Sequence, residues 1–250
     1  TYGVGGNGAC VVKVSSVDQV LAVSEILRRH PGVETLVMGR GSNLLIADNG
    51  FDGVVIVMAP SSTENAVTVD GDIVEAGGAM LMPVLARRSV GASRGGLEWC
   101  VGIPGTVGGA VRMNAGGHGS DMASSLTSVR MFHLRKGREA HVNAVDLGLR
   151  FRGSALDDHH VVLSATVDLE WSKSPEASEA ELQEVVRWRR ENQPGGQNAG
   201  SVFVNPEPGK VSAGAVIDEL GMRGMRIGSA QVSEKHANFI QADVDGSAQD

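Results

Sequence analysis

Glycine constrains this chain more than any other feature: there are 34 in 250 residues, bunched around 39–41, 102–109 and 116–119. Without a Cβ, glycine reaches positive φ and lets a backbone lie close against another group, at a cost in chain entropy. So many, next to apolar residues, predict several places where the chain turns sharply or packs closely against something.

The rest of the composition is that of an ordinary globular protein. Apolar residues make up 42% and charged residues 20%, and the length allows one large domain or two or three small ones. The formal charge of −7 argues against a nucleic-acid partner. Local Arg and Lys can still hold a small anionic substrate. Cys10 and Cys100 form no CxxC pair and are expected to be reduced thiols of a cytoplasmic protein. The opening Thr1-Tyr2-Gly3-Val4 has neither a basic nor an apolar leader region, and no apolar run approaches the ~18 residues of a membrane span. The expectation is a soluble cytoplasmic chain with no membrane partner.

Ser16-Val17-Asp18-Gln19 reads as a capping box, followed by Val17, Val20, Leu21, Ser24 and Leu27 at helical spacing. Arg28, Arg29 and His30 suit the helix C-terminus, and Pro31-Gly32 stops it. Strands are predicted at 35–38 and 54–58, so the first 60 residues read as a small α/β unit. Short β runs follow at 67–69, 73–76, 129–134 and 161–169, with Lys136-Gly137 as a hairpin turn. A helix at 80–89 presents Leu81, Val84 and Leu85, and 91–119 reads as glycine-rich loop. The polar stretch 171–176 reads as a linker. A capping box at Ser178 opens a further helix to about Glu191, ended by Pro194-Gly195-Gly196. A last helix over 212–220 stops at Gly221, and a strand lies near 238–242.

Gly3-Val4-Gly5-Gly6-Asn7-Gly8 fits GxGxxG in form only. A dinucleotide fingerprint needs a preceding strand and an immediately following helix, so this is read as a plain turn. Gly39, Arg40, Gly41, Ser42, Asn43 and Leu44 directly follow a strand. Their backbone N–H groups can form an anion site suited to a pyrophosphate; the residues alone fit a tight turn equally well. Gly102, Ile103, Pro104, Gly105, Thr106, Gly108, Gly109 and Ala110, then Asn114, Ala115 and Gly116, form a second glycine-rich surface suited to a flat ligand. Asp157-Asp158-His159-His160 is read as a solvated loop, because neighbours on an extended segment point in opposite directions. No HxH or HExxH spacing occurs, and no metal site is predicted. Ser201, within Gly200-Ser201-Val202-Phe203, lacks a GxSxG elbow and is a poor nucleophile, but a placed hydroxyl can donate a proton.

Taken in order, these segments resemble one family over nearly the whole chain. The motifs are 39–56, Gly96-Leu97-Glu98 through Gly116, Phe151-Arg152-Gly153-Ser154, 200–206 and Lys235-His236-Ala237-Asn238-Phe239. The chain resembles the UDP-N-acetylenolpyruvoylglucosamine reductases (MurB), in the compact subtype lacking a tyrosine-bearing insertion. The resemblance implies an α+β chain: a two-subdomain FAD-binding fold of the vanillyl-alcohol-oxidase-like type (1–60 and 61–172), plus a C-terminal α/β substrate-binding domain (173–250). It implies non-covalent FAD, NADPH as reductant, UDP-N-acetylglucosamine enolpyruvate as substrate, and a monomer. The two glycine-rich segments then bind FAD.

By motif match, Arg152 stabilises charge developing at the enolpyruvyl carboxylate, Ser201 protonates C2, and Asn205 and Lys235 hold the substrate. Phe151 stands where the family usually has Tyr. The family's Glu, which assists enol protonation in a later strand, has no match within 1–250. Two rival readings are an FAD oxidase on the same fold and a flavin-binding module without turnover. Covalent attachment in such oxidases uses a His in the first glycine loop; Arg40-Gly41-Ser42-Asn43 offers neither His nor Cys, which favours dissociable FAD.

Overall fold

The computed structural model describes residues 1–60, 67–169, 173–207 and 209–250. The chain forms two compact units. One comprises 10–40 and 53–186; the other comprises 1–9, 41–52 and 187–250.

The larger unit begins in β1 (Gly8–Val14), a strand the sequence reading passed over. It continues through α1 (Val17–Arg29), β2 (Glu34–Met38) and β3 (Phe51–Met58). These strands form a sheet in the order β1-β3-β2, with β2 and β3 parallel. The predicted cap is present: the Ser16 side chain accepts from the Gln19 N–H at 3.3 Å. The Gln19 side chain accepts from the N–H of Ser15 rather than Ser16, so the reciprocal bond is shifted by one residue. At the other end Arg135 donates to the carbonyls of Leu27 (2.7 Å), His30 (3.2 Å) and Val33. A guanidinium there satisfies orphan carbonyls and complements the helix dipole.

The centre of this unit is a five-stranded antiparallel sheet, β4-β5-β10-β8-β9. Its members are β4 (Val67–Asp70), β5 (Ile73–Gly77), β8 (Leu126–His133), β9 (Arg138–Asn143) and β10 (His160–Asp168). The short pair β6 (Gly116–Gly117) and β7 (Ser120–Asp121) lies between them in sequence. Lys136-Gly137 makes the β8–β9 hairpin as predicted, with Gly137 at φ 64°.

Strand β10 carries apolar residues towards both faces, because both are covered. Val161 and Leu163 join a core with Val14, Val20, Leu27 and Ile56. Val162, Ala165 and Val167 face a second core with Leu85, Trp99 and Val111. A register shift between Val162 and Ser164 explains why those three do not keep a strict period of two.

Helix α2 (Met82–Gly91) buries Met82, Leu85, Ala86, Ser89 and Val90. The predicted stripe is therefore corrected by one residue: Leu81 is the N-cap and Val84 only half-buried, because Pro83 starts the helix late. The region read as loop is corrected too. It contains a 3-10 turn, Glu98–Gly102, and α3 (Val107–Met113), capped by the Thr106 side chain. Burial of Val107, Ala110 and Val111 outweighs the poor helix propensity of Gly108 and Gly109. Helix α4 (Pro175–Asn192) opens earlier than its predicted capping box. The Ser174 hydroxyl accepts from the Ala177 N–H at 3.2 Å, and Ser178 is buried inside the helix. The predicted linker is thus helix from Pro175 onward, while 171 and 172 lie outside the described residues.

The smaller unit holds α5 (Ala213–Glu219) and a sheet of β11 (Arg226–Ile227), β12 (Ala230–Val232) and β13 (Ile240–Ala242). Ser212 caps α5 and Gly221 follows its end at φ 66°, as read from the sequence. β11 and β12 were too short to see. The glycine-rich N-terminus leads into β1 rather than a helix, and lies along 46–50, where Gly6 N–H donates to the Ala47 carbonyl and Phe51 N–H to Asn7. That is a close backbone pairing, not a nucleotide loop. Among the described residues no helix is long and apolar enough to cross a membrane.

Candidate functional site

The second glycine surface is built where β5 ends and α3 begins. The Gly108 N–H donates to the Gly78 carbonyl at 2.8 Å, and Gly78 N–H donates to Leu163 at 2.7 Å. A Cβ on Gly78 would collide with the Val162 carbonyl, and one on Gly39 with the Thr106 hydroxyl, so both positions require glycine for close approach. The result is a small open cleft of about 40 Å³ lined by Gly39, Gly78, Gly108 and Gly109. Val37, Met58, Leu156 and Val162 supply apolar walls; Thr106, Arg112 and His160 complete it.

Of the predicted cofactor residues, the structure brings Gly39, Thr106, Gly108 and Gly109 together here. Gly102 and Ala110 are buried and do not line the cleft, and Ile103 packs on the core. Gly105 accepts from Met82 N–H at 3.1 Å, and Pro104 is exposed. Asn114 ends α3 in the left-handed region, at φ 40°. Its amide donates to Asp121 (3.1 Å) and to the Arg150 carbonyl (3.3 Å), and accepts from Ala123 N–H (2.9 Å), so it ties α3 to the 150–153 loop. Ala115 and Gly116 continue from it into β6, where Ala115 accepts from Met122 N–H at 3.0 Å. The first glycine segment crosses from one unit to the other after Arg40. Arg40 and Asn43 are exposed, Ser42 is half-buried, and Leu44 N–H closes a turn on Gly41.

Arg152 occupies the left-handed region at φ 57°, unusual for a long side chain and a conformation costing of order 1–2 kcal/mol. A bridge between Arg150 and Gly153 and the bond from Ser154 Oγ to the Arg112 carbonyl (2.7 Å) hold the loop. The Arg152 guanidinium is exposed, bonds the Gly116 carbonyl at 3.2 Å, and lies 5.4 Å from the Phe151 ring centroid.

In the smaller unit Ser201 is exposed and pairs with Phe239. Buried Asn238 clamps the segment: it accepts from Val202 N–H and Phe203 N–H (2.9 and 2.8 Å) and donates to the Phe203 carbonyl (2.9 Å). The Asn205 oxygen accepts from the Ala213 N–H at the start of α5 (3.1 Å). Lys235 Nζ donates to the Arg190 carbonyl.

The acidic-histidine run is an exposed turn leading into β10, as read, but its side chains are engaged. Asp158 pairs with Arg112 Nη2 at 2.9 Å, Asp157 with His160 Nδ1 at 2.6 Å, and His159 Nδ1 lies 3.1 Å from the Thr35 hydroxyl. His160 and Arg112 both line the cleft. Sequence reading missed this because 46 residues separate Arg112 from Asp158; a glycine pair ending β5 was the one available signal for Gly78. Among the described residues no cluster of three or more His, Cys, Asp or Glu side chains suited to a metal ion is present.

His133 packs against His160 at 4.7 Å between ring centroids and against His159 at 6.2 Å. Burial first, then His160, Lys136 and His159, lower its pKa from the ordinary 6.5, with Asp157 opposing. The fold thus favours neutral His133, and below pH 6.5 the unfolded chain binds more protons, so stability must fall with pH. We expect the melting temperature to drop as pH is lowered from 6.5 towards the carboxylate range near ~4, and His133→Gln to flatten that slope. An unchanged slope in the variant would remove His133 from the account.

Fold and cleft together define an FAD-binding oxidoreductase architecture, and the profile described as "FAD binding domain" matches residues 8–143. The profile for the C-terminal domain of UDP-N-acetylenolpyruvoylglucosamine reductase matches residues 192–250. The chain belongs to the UDP-N-acetylenolpyruvoylglucosamine reductase family. A reductase of that name from Paramagnetospirillum magneticum is 39% identical over 100% of this chain and 79% of its own length. One from Heliobacterium modesticaldum is 42% identical, covering 85% of this chain and 67% of the relative. The crystal structure of MurB from Thermus caldophilus superposes with a TM-score of 0.80 at 35% identity, covering 96% of this chain and 84% of that one. The residues present fit FAD: glycine backbone and apolar walls suit a flat ring, and Arg112 Nη1 is a buried donor with no protein acceptor.

Proposed function

We propose that this chain catalyses the NADPH-dependent reduction of UDP-N-acetylglucosamine enolpyruvate to UDP-N-acetylmuramate, a step in peptidoglycan precursor synthesis. The observation that carries the reading is 39% identity to a named reductase along the entire chain. When bound, FAD supplies the redox chemistry, taking hydride from NADPH and giving it to C3 of the enolpyruvyl group.

The chain's own residues handle binding and charge. Hydride addition at C3 leaves negative charge on C2 and its carboxylate. The Arg152 guanidinium, carried on a strained loop, stabilises that charge as it develops. The Ser201 hydroxyl, on the segment that Asn238 clamps through the backbone of Val202 and Phe203, delivers the proton to C2. Residues Gly39 to Leu44 and the cleft glycines hold the cofactor, while Asn205 and Lys235 face the nucleotide sugar once their present protein partners yield. In this reading 1–60 and 61–172 carry the flavin and 173–250 the substrate, and the protein acts as a cytoplasmic monomer.

An anaerobic absorbance experiment tests the reaction. The yellow protein should bleach with NADPH and recolour only on adding UDP-N-acetylglucosamine enolpyruvate. Recolouring by oxygen at a comparable rate would indicate an oxidase, and bleaching without substrate-driven recolouring would refute the assigned reduction.

A further inference from the structure

We propose that Asp48 is a positioning residue for the reaction: it fastens the segment after the first glycine loop to the turn at 246–248, and so holds that loop in register with the unit that carries Ser201. The inference rests on the reductase reading, which puts the cofactor at Gly39 to Leu44 and the donated proton on Ser201.

From Gly41 to Gly50 the chain is neither helix nor strand, so no ladder of backbone bonds secures it. Two anchors hold it. The first is backbone: the Ala47 carbonyl accepts from Gly6 N–H (3.0 Å) and Gly50 N–H (2.8 Å), and Phe51 N–H donates to Asn7 (3.1 Å). The second is the Asp48 carboxylate. Its Oδ1 accepts from Ala248 N–H at 2.8 Å and its Oδ2 from the Ser247 hydroxyl. Those partners lie 200 and 199 positions along the chain, so this is a tertiary fastening and not a local turn. Both oxygens being engaged, Ser247 first and Ala248 next hold the carboxyl below its usual range against slight burial.

The receiving turn is itself tied down. Ser247 N–H donates to Ser229 Oγ at 2.8 Å, and Ser229 donates through its N–H and Oγ to Asp250 at 2.7 and 2.6 Å. Ser229 lies in the turn between β11 and β12, and β12 pairs with β13. Phe239, directly before β13, bridges to Ser201. A chain of bonded segments therefore runs from Asp48 to the Ser201 segment, all within the smaller unit.

Exposed hydrogen bonds of this kind add little to global stability, because water competes for both partners. Their effect is local: they narrow the positions open to a segment with no ladder of its own. Proton delivery is sensitive to such freedom, since a misplacement of ~1 Å can cost about a hundredfold. Hydride transfer from NADPH does not call on Ser201. Loosening the fastening should therefore be felt in one half-reaction only.

The test uses the full chain in two forms. In the protein freed of FAD, amide hydrogen exchange should quicken in both 41–50 and 244–249 for Asp48→Ala and for Ser247→Ala, with little change in melting temperature. In the FAD-loaded protein, stopped-flow absorbance should show NADPH reduction at the wild-type rate. Substrate-driven reoxidation should slow by about three- to tenfold, the scale of one or two modest hydrogen bonds. Asp48→Asn, which keeps an acceptor for Ala248 N–H, should recover part of both losses. The double variant should be no slower than Asp48→Ala, which already lacks both bonds. Unchanged exchange in either segment, wild-type reoxidation in Asp48→Ala, or equal slowing of both half-reactions would overturn the positioning role. A wild type that substrate does not reoxidise would overturn the reductase reading itself and the positioning role with it, even where exchange behaves as expected.

Discussion

Ser201→Ala is expected to slow substrate-driven reoxidation of the reduced enzyme by about 10²–10⁴-fold, the usual cost of removing a general acid. Reduction by NADPH should proceed at the wild-type rate. The separation follows from chemistry: the proton is needed only after hydride reaches C3, so the first half-reaction does not involve the hydroxyl. The fold should survive, because Ser201 is exposed and its segment is held by Asn238 through the backbone of Val202 and Phe203. Stopped-flow absorbance of the two half-reactions reads both rates. Wild-type reoxidation in the variant would dismiss Ser201 as the donor; equal damage to both halves would point to disruption of the segment.

Arg152→Gly should produce the second large effect, a loss of about 10²–10³-fold in the same half-reaction, the scale for deleting one transition-state charge stabiliser. Glycine is the informative replacement. At φ 57° it relieves backbone strain that Arg152→Ala would retain, so the variant should be at least as stable as wild type. The side-chain bonds given up are surface ones, to the Gly116 carbonyl and over the Phe151 ring. A catalytically weakened but undiminished melting temperature therefore separates the catalytic role from a structural one. If stability falls with activity, Arg152 is holding the loop rather than serving the reaction. Strain at a non-glycine residue is retained when surrounding structure over-determines it, as the Arg150–Gly153 bridge and the Ser154 bond do here.

Much of the secondary structure was legible because its causes are local. The Ser16 cap, the Pro31-Gly32 stop, the Lys136-Gly137 hairpin and the Ser212-to-Gly221 helix are each set by a few adjacent residues. Misreadings came where tertiary packing overrode local preference. Val107–Met113 looks like loop by its glycines, yet burial of Val107, Ala110 and Val111 makes it a helix. The acidic-histidine turn is exposed as read, but its pairing with Arg112 and Thr35, from distant parts of the chain, could not be seen in its own residues.

The sequence by itself determined the kind of chemistry, because flavin-family motifs are runs of neighbouring residues whose spacing survives any folding argument. It also marked Arg152 and Ser201, through those same motifs. Only the tertiary structure decided that Gly39 and Gly78 come together with Gly108 in one cleft, and that Arg112 stands in it with an unmatched donor. It alone revealed the left-handed backbone beneath Arg152 and the Asn238 clamp beside Ser201. The physical reason is range. Caps, turns and strand runs are fixed by energies between near neighbours, whereas a cleft needs close approach of segments dozens of residues apart, which depends on how the whole core packs.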